Sequence, residues 1–237
     1  MNNIFSVKEF DIYQDKRNSS FFKIVSKNNQ NCSALFYSII KNNVANSATI
    51  INNNNNNSSN NSLIIKTVSL KSFDQFKKEQ KKIYNTYQIS YKIILDIIFN
   101  LSKQLSYLLE NEQKCFYTFE PDNVLVVDDC KFLYLSNEHL KDVKDENLYI
   151  YSPIKKNNYY LSPELRKALS IPIIINYKTI FYSLGLLIVS SLLNETIEND
   201  IQGKIMERIV SIKGTKLYFF LERCFYNEPA KRFLIYL

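Results

Sequence analysis

Glycine is scarce in this sequence. Gly185, Gly203 and Gly214 are the only three glycines among 237 residues, and no two of them lie close together. A glycine-rich loop that cradles phosphate groups needs several glycines within a few residues, because its backbone must approach the ligand closely. The sequence therefore excludes a phosphate-binding loop of this kind.

Residues that bind metals or form disulfides are also few. His139 is the only histidine, and the four cysteines are scattered without any pair at the spacing of metal ligands, at Cys32, Cys115, Cys130 and Cys224. This pattern excludes a zinc site of a familiar type, and we expect no metal site. Because no basic and apolar leader opens the chain, we expect a cytoplasmic protein whose thiols are reduced.

Long hydrophobic runs are absent as well. The longest apolar stretch, residues 180–193, contains three serines and is too short to cross a bilayer, so it predicts a buried helix and no membrane partner. The net charge of +7 comes mainly from lysine. The densest lysine cluster, residues 77–84, includes Glu79 and has no interleaved aromatic residues. We therefore expect a solvated or docking helix face there, and no nucleic-acid partner.

What is present is enough for a folded domain, since 46% of the residues are hydrophobic and 14% are aromatic. One low-complexity tract interrupts the chain: residues 51–62 contain only asparagine and serine after Ile51. Such a tract cannot repay the entropy of ordering, so it predicts a mobile loop. The tract divides the chain into a short portion, residues 1–62, and a longer portion, residues 63–237.

The longer portion shows clear strand and helix patterns. Apolar residues at 94, 98, 101, 105 and 108 recur three and four apart and predict a long helix with one buried stripe. Ser72 and Ser162 stand where they can cap two shorter helices. The predicted elements are a strand at 62–70, helices at 72–84 and 89–112, strands at 124–127 and 132–135, an irregular loop at 136–158, and helices from 162, 179 and 216.

Four stretches of this portion resemble the C-terminal lobe of the eukaryotic protein kinase family. They are similar, in turn, to the end of the catalytic loop with its following strand, the end of the activation segment, the central helix, and the Asp-Pro-x-x-Arg motif near the family's end. The stretches are EPDNVLV (120–126), YYLSPEL (159–165), YSLGLLI (182–188) and EPAKR (228–232). The resemblance implies an α+β, protein-kinase-like fold with a mostly helical C-lobe and a reduced, small β N-lobe.

The resemblance also implies a structural ion pair. In that family a glutamate at the end of the activation segment pairs with the late arginine, and both partners stand here as Glu164 and Arg232. Losing one partner of such a buried pair would leave a charge without compensation.

Upstream of the four stretches, two registers compete. In the first, Lys66 is the phosphate-positioning lysine and Glu79 its helix partner, which leaves 50 residues between Lys66 and Phe116, roughly half of what the family needs there. In the second, which we prefer, residues 62–70 form the strand that leads into the hinge, and the elements of the family fit into the remaining chain without a deletion. Residues 1–62 then form a remnant N-lobe, and residues 63–237 form the hinge and C-lobe.

The second register determines what the N-terminal residues should be. Residues 8–26 become the regulatory-type helix and its following strand, with Glu9 in the slot of the lysine-pairing glutamate, and the Asn-rich tract becomes the loop at 51–62. The first three strands of the small lobe are then absent, together with the glycine-rich loop and the lysine.

The resemblance places the catalytic positions on residues that cannot do the chemistry. The His-Arg-Asp positions align with Phe116, Tyr117 and Thr118, and a threonine hydroxyl is too weak a base to replace a carboxylate. Glu120 takes the place of a lysine and would repel a phosphate. Asn123, a metal ligand in the family, is kept, but alone it cannot hold magnesium.

The metal-binding aspartate is missing too. Its slot falls on Tyr134 in one count and on Ser136 in another, and neither residue is acidic. Asp128 and Asp129 lie nearby but are typical of a turn between strands. Ile180 replaces the aspartate that braces the catalytic loop.

Together these losses predict a pseudokinase, an inactive serine/threonine-protein kinase homologue that binds neither ATP nor magnesium. We expect it to act as a binding or scaffold module for a protein partner that the sequence does not identify. The alternatives are a residual Ser/Thr kinase or nucleotide-binding protein that transfers phosphate from ATP, and a decayed gene product without function.

Overall fold

Three antiparallel sheets and seven α-helices make up the part of the chain that the computed structural model describes, which is residues 1–28, 31–42, 47–53, 60–84, 89–195, 197 and 202–234. No helix in these ranges is long and apolar enough to span a membrane.

The first sheet occupies the N-terminal part of the chain. Its strands are β1 (Asn2–Val7), β2 (Phe10–Gln14), β3 (Phe21–Ser26), β4 (Ser47–Asn53) and β5 (Asn60–Lys66), and helix α1 (Ser33–Lys41) lies between β3 and β4. The strand order is β1-β2-β3-β5-β4. The sheet packs on α1, where the ring centroids of Phe10 and Phe36 lie 6.0 Å apart. Both side chains are fully buried, so this contact belongs to the core.

The regulatory-type helix predicted within residues 8–26 is wrong, because this segment forms β2 and β3. Phe10 and Ile12 of β2 are buried at alternating positions, and so are Phe22 and Ile24 of β3. A period of two belongs to a strand with one buried face. The prediction that three leading strands are absent is wrong for the same reason, since β1, β2 and β3 all precede α1.

The predicted form of the protein-kinase-like fold, with a mostly helical C-lobe and a reduced small β N-lobe, is therefore also wrong. The N-terminal sheet has five strands, and the rest of the described chain adds antiparallel sheets of four and three strands. The fold is α+β and rich in antiparallel sheet. The loop predicted at 51–62 is partly strand, because β4 ends at Asn53 and β5 begins at Asn60; residues 54–59 lie outside the described residues.

The middle of the chain contains two helices and two strands that the sequence predicted, together with two short strands that it did not. They are β6 (Leu70–Ser72), α2 (Phe73–Tyr84), α3 (Tyr91–Glu112), β7 (Lys114–Phe116), β8 (Val124–Val127) and β9 (Lys131–Tyr134). All five predicted stripe positions of α3 are buried, which confirms that helix. The Ser72 cap of α2 is also confirmed, because its hydroxyl accepts the Gln75 N–H at 3.2 Å. The predicted strand pair is confirmed as β8 and β9, which pair antiparallel beside β6.

Residues 136–158 are not the irregular loop that we predicted. They contain β10 (Leu140–Lys144) and β11 (Asn147–Ile150), which join β12 (Ile173–Asn176) and β7 in a four-stranded sheet of order β12-β11-β10-β7. Asp145 and Glu146 connect β10 to β11 with positive φ angles of 49° and 59°. Two successive left-handed residues are the geometry of a tight two-residue hairpin. The outer faces of these strands are polar, so the sequence showed no apolar run that would predict a strand.

The C-terminal part of the chain packs around one buried helix. The helices are α4 (Pro163–Lys167), α5 (Thr179–Leu193), α6 (Gln202–Arg208) and α7 (Lys216–Cys224). The apolar run of α5 is buried on all sides, as predicted. Ser162 stands at the start of α4, but its hydroxyl bonds to Thr179 Oγ1 at 2.5 Å and caps no N–H of the helix. Gly185 lets α5 approach Phe225, since a Cβ at this position would lie 2.9 Å from the ring.

Candidate functional site

The turn between β1 and β2 contacts the segments on either side of the β8–β9 hairpin. Val7 pairs with Phe10, so Lys8 and Glu9 form a two-residue turn. Lys27, the residue after β3, holds this turn by donating its ammonium to the carbonyls of Val7, at 3.1 Å, and Lys8, at 3.2 Å. These bonds fix the backbone of the turn that carries Lys8 and Glu9.

Glu9 is buried against the segment that follows β9. Its Oε1 accepts the Ser136 hydroxyl at 2.6 Å, and its Oε2 accepts the Glu138 N–H at 2.9 Å. Burial raises the pKa of Glu9, although these two hydrogen bonds oppose the rise. We had predicted that Glu9 occupies a slot on a helix, and this prediction is wrong. Its carboxylate instead binds Ser136, which lies in a distant part of the chain.

Lys8 makes the second part of this contact. Its ammonium forms an ion pair with Glu120, in the loop between β7 and β8. The other oxygen of Glu120 accepts the side-chain amide N–H of Asn158 at 2.7 Å. We call the contacts of Lys8 and Glu9 with residues 120, 136 and 138 the turn contact. Through the turn contact, Glu120 is paired with a cation.

Tyr134 lies behind Glu120 in the interior. Its ring packs between Phe116 and Phe119, with centroids 4.9 Å and 4.7 Å away. Its hydroxyl accepts the Glu120 N–H at 3.1 Å and lies 2.6 Å from His139 Nδ1. Burial raises the pKa of Tyr134, so the phenol stays protonated and can donate to the histidine.

His139 is held as a neutral ring. Burial and the nearby cations of Lys8, Lys141 and Lys155 lower its pKa to about 3. Because Nδ1 accepts from Tyr134, the ring proton belongs on Nε2, which lies 3.6 Å from Glu120 Oε1. Through the Tyr134 hydroxyl, this buried Tyr–His pair supports the backbone of Glu120, and the histidine ring lies near the Glu120 carboxylate without a hydrogen bond to it.

Thr118 is fully buried, and its hydroxyl is engaged. It lies 3.2 Å from Ser183 Oγ on α5 and 3.4 Å from the Tyr160 carbonyl. Ser183 Oγ in turn accepts the Phe119 N–H at 2.7 Å. The structure therefore ties Thr118 into the packing between the loop and α5.

Asn123 is positioned by its backbone. Its N–H donates to the Glu120 carbonyl at 3.1 Å, and its carbonyl accepts from Leu135 N–H at 2.8 Å. Its side-chain amide is buried beside the Tyr134 hydroxyl, and neither of its polar atoms has a hydrogen bond of good geometry within the described part of the chain.

Asp128 and Asp129 form the turn of the β8–β9 hairpin, both with positive φ. Asp128 accepts the Thr67 hydroxyl at 2.6 Å and the backbone N–H groups of residues 68 and 69. Partial burial opposes a low pKa, but these hydrogen bonds prevail and lower the pKa of Asp128. Asp129 pairs with Lys71 at 2.8 Å. Both carboxylates are occupied in fixing the loop between β5 and β6 and strand β6.

The first of the two registers paired Lys66 with Glu79. Glu79 instead forms an ion pair with Lys71, and the Lys66 ammonium lies over the Phe21 ring, 5.6 Å from its centroid.

Glu164 and Arg232 lie together as a two-point ion pair. The Arg232 Nη1 donates to Glu164 Oε1 at 2.5 Å, and Nη2 donates to Oε2 at 3.0 Å. The guanidinium also donates to the carbonyls of Tyr226, at 2.7 Å, and Asn227, at 3.3 Å. Arg232 is 0% exposed, so every polar contact it makes is internal.

Sequence reasoning missed the partners that complete this site. Lys8 and Asn158 were not predicted to take part, and neither was His139. Lys8 and Glu120 lie 112 residues apart, and no local pattern encodes a contact between strand turns so distant.

In the described residues, no group of three or more His, Cys, Asp or Glu side chains is arranged to hold a metal ion. Comparison with protein-family models and with curated protein sequences gives no match to this chain.

Proposed function

We propose that the protein is a catalytically inactive relative of protein kinases and acts as a binding or scaffold module for another protein. The observation that carries this proposal is the turn contact, in which Lys8 and Glu9 engage Glu120 and Ser136. By the resemblance to kinases, Glu120 and Ser136 stand at positions where a phosphotransferase would hold its substrate and metal ions.

The chemistry of phosphoryl transfer supports this proposal. The reaction needs a carboxylate that positions the attacking hydroxyl, together with cations on the phosphates. Thr118 carries a hydroxyl in the place of that carboxylate, and it is buried in contact with Ser183. The ammonium of Lys8 forms an ion pair with Glu120, so it is not available to a phosphate.

The retained internal packing supports a binding role. The Glu164–Arg232 pair keeps a fully buried arginine satisfied by a carboxylate and two carbonyls. Such a pair gives weak support to stability compared with apolar residues, but removal of one partner is strongly destabilising. We propose an unidentified protein as the partner and neither nucleic acid nor membrane. We place the protein in the cytoplasm, because none of its four cysteines is in a disulfide.

A residual Ser/Thr kinase or nucleotide-binding protein is the alternative. The observation that favours it is Asn123, whose buried amide lacks a well-formed hydrogen bond to any described residue. An amide oxygen can bind magnesium, but it needs carboxylates beside it.

Thermal unfolding of the full chain with and without Mg-ATP separates the two functions. Binding at a hundred times Kd would stabilise the protein by about 2.7 kcal/mol, which raises Tm by roughly 5–10 °C in a chain of this size. We expect no rise, and no transfer of radiolabelled γ-phosphate to a basic substrate protein that an active kinase labels in parallel. A rise in Tm or labelling above background would establish the alternative.

The binding role needs its own test. We expect affinity capture with the intact chain to retain a partner that a Glu164→Ala/Arg232→Ala chain does not retain. Equal capture by both chains, or no specific partner with the intact chain, would contradict the scaffold function even if nucleotide does not bind.

A further inference from the structure

A second site lies on the four-stranded sheet and shares no lining residue with the turn contact. It is a cavity of about 390 Å³, which falls within the range of small-molecule sites. It is lined by Lys114, Leu140, Lys141, Asp142, Tyr149, Tyr151 and Ser152. These residues come from β7, β10, β11 and the two residues that follow β11.

The charges of this cavity are unequal. Lys114 and Asp142 neutralise each other in an ion pair across β7 and β10. Lys141 is half-buried and makes neither a hydrogen bond nor an ion pair through its ammonium with any residue that the structure describes. Burial lowers the pKa of Lys141, and the charges of Glu138, Glu9 and Asp142 act against that fall. The ammonium therefore keeps its hydrogen-bond donors for a ligand.

We propose that this cavity binds a small organic phosphate monoester. The terminal oxygens of a phosphate can accept from several donors at once. The residues that line the cavity include Lys141, Tyr149, Tyr151 and Ser152, whose side chains carry one ammonium and three hydroxyls. The volume exceeds that of a phosphate ion, and the two tyrosine rings offer apolar surface to the organic part of the ligand.

A neighbouring cavity shows why the ligand belongs in the first one. It measures about 470 Å³ and shares Leu140, Lys141 and Ser152 with the first, but it also contains Glu9 and Glu138. These carboxylates would repel an anion at this short range. The first cavity contains only Asp142 as an acidic residue, and that carboxylate is already paired.

The test uses the full chain and phenyl phosphate as the probe, followed by NMR titration of the backbone amides. We expect saturable binding with a Kd of about 1 mM or tighter, with shifts at residues 114, 141 and 149. Lys141→Gln should weaken binding at least tenfold. Lys144→Gln, a lysine of the same strand that does not line the cavity, should leave binding unchanged.

Asp142→Asn provides a change of opposite sign. This variant removes a negative charge that would repel the ligand, and it releases Lys114 from its ion pair. We therefore expect binding to tighten severalfold. This outcome keeps the proposal falsifiable if Lys141→Gln does not fold.

The proposal would be overturned by equal loss of binding in the Lys141 and Lys144 variants, by weaker binding in Asp142→Asn, or by shifts confined to other surfaces. Benzoate should bind more weakly than phenyl phosphate, since it has two acceptor oxygens; equal binding would refute the phosphate class. Inorganic phosphate should also bind more weakly, and equal binding would refute a site for the organic part.

Discussion

Replacing Glu164 by alanine would leave the guanidinium of Arg232 buried without its carboxylate. Arg232 is 0% exposed and the Glu164 side chain is 18% exposed, so the charge that remains cannot move into water. The variant therefore measures the cost of an uncompensated buried cation.

The size of the effect follows from what remains around the guanidinium. Breaking a buried pair by removing one partner costs about 3–5 kcal/mol. In this protein the carbonyls of Tyr226 and Asn227 keep their hydrogen bonds to Arg232. We therefore expect the lower end of that range, a loss of about 3 kcal/mol, which lowers Tm by roughly 6–12 °C for a chain of this length.

The assay is thermal and urea unfolding followed by circular dichroism. Lys231→Ala is the matched control, because it breaks the neighbouring pair with Glu228, whose side chains are 67% and 65% exposed. An exposed pair contributes about 0–1 kcal/mol. Arg232→Met combined with Glu164→Ala should recover most of the lost stability, since an apolar residue replaces the stranded charge.

The reasoning would be refuted if Glu164→Ala unfolded within 1 °C of the Lys231→Ala control. It would also be refuted if the double variant were less stable than Glu164→Ala alone. Loss of a cooperative transition in the unmodified protein would instead favour the decayed gene product.

Two further predictions concern the interior. His139 is the only histidine, so its ring can be followed by NMR without assignment; we expect no titration between pH 8 and 5, because its pKa is lowered to about 3. The stability that this neutral histidine contributes should be lost as pH falls from about 6.5 toward 3, and a ring that titrates near pH 6 would contradict the buried Tyr–His pair. Gly185→Ala should destabilise the protein by about 1–3 kcal/mol in urea unfolding, since its Cβ would lie 2.9 Å from the Phe225 ring. Adding Phe225→Leu should restore part of that loss, and a Gly185→Ala protein as stable as the parent would show that α5 and α7 can separate at no cost.

Elements with a long, uninterrupted period could be predicted from the sequence. Helix α3 has 22 residues with one regular buried stripe, and the apolar run of α5 leaves no exposed face, so neither prediction depends on knowledge of the neighbouring elements. The β8–β9 hairpin could also be predicted, because its two apolar runs are short and a turn-forming Asp-Asp pair stands between them.

Short strands with polar outer faces could not be predicted in the same way. In β2 and β10, charged residues such as Asp11 and Lys144 alternate with few apolar ones, and five residues do not distinguish a period of two from 3.6. Helix α1 was missed although Leu35, Phe36 and Ile39 follow a helical spacing, because the N-terminal residues were interpreted through the wrong register.

Only part of the candidate site could be predicted from the sequence. Thr118, Glu120 and Asn123 lie within six residues of one another, so their proximity was certain. The partners that neutralise or engage them come from distant strands and helices, and only the folded arrangement brings Lys8 to Glu120 or Ser183 to Thr118.

The turn contact also imposes an order on events at the ribosome. The strands of the first sheet are complete once residue 66 has emerged, whereas the groups that Glu9 binds stand at 136 and 138. At about 5–20 residues per second, synthesis of the residues in between takes roughly 4–14 s. During this time the Glu9 carboxylate, which the finished protein buries, is exposed. A chaperone or a neighbouring chain can reach the Glu9 carboxylate during this interval, before the later residues cover it.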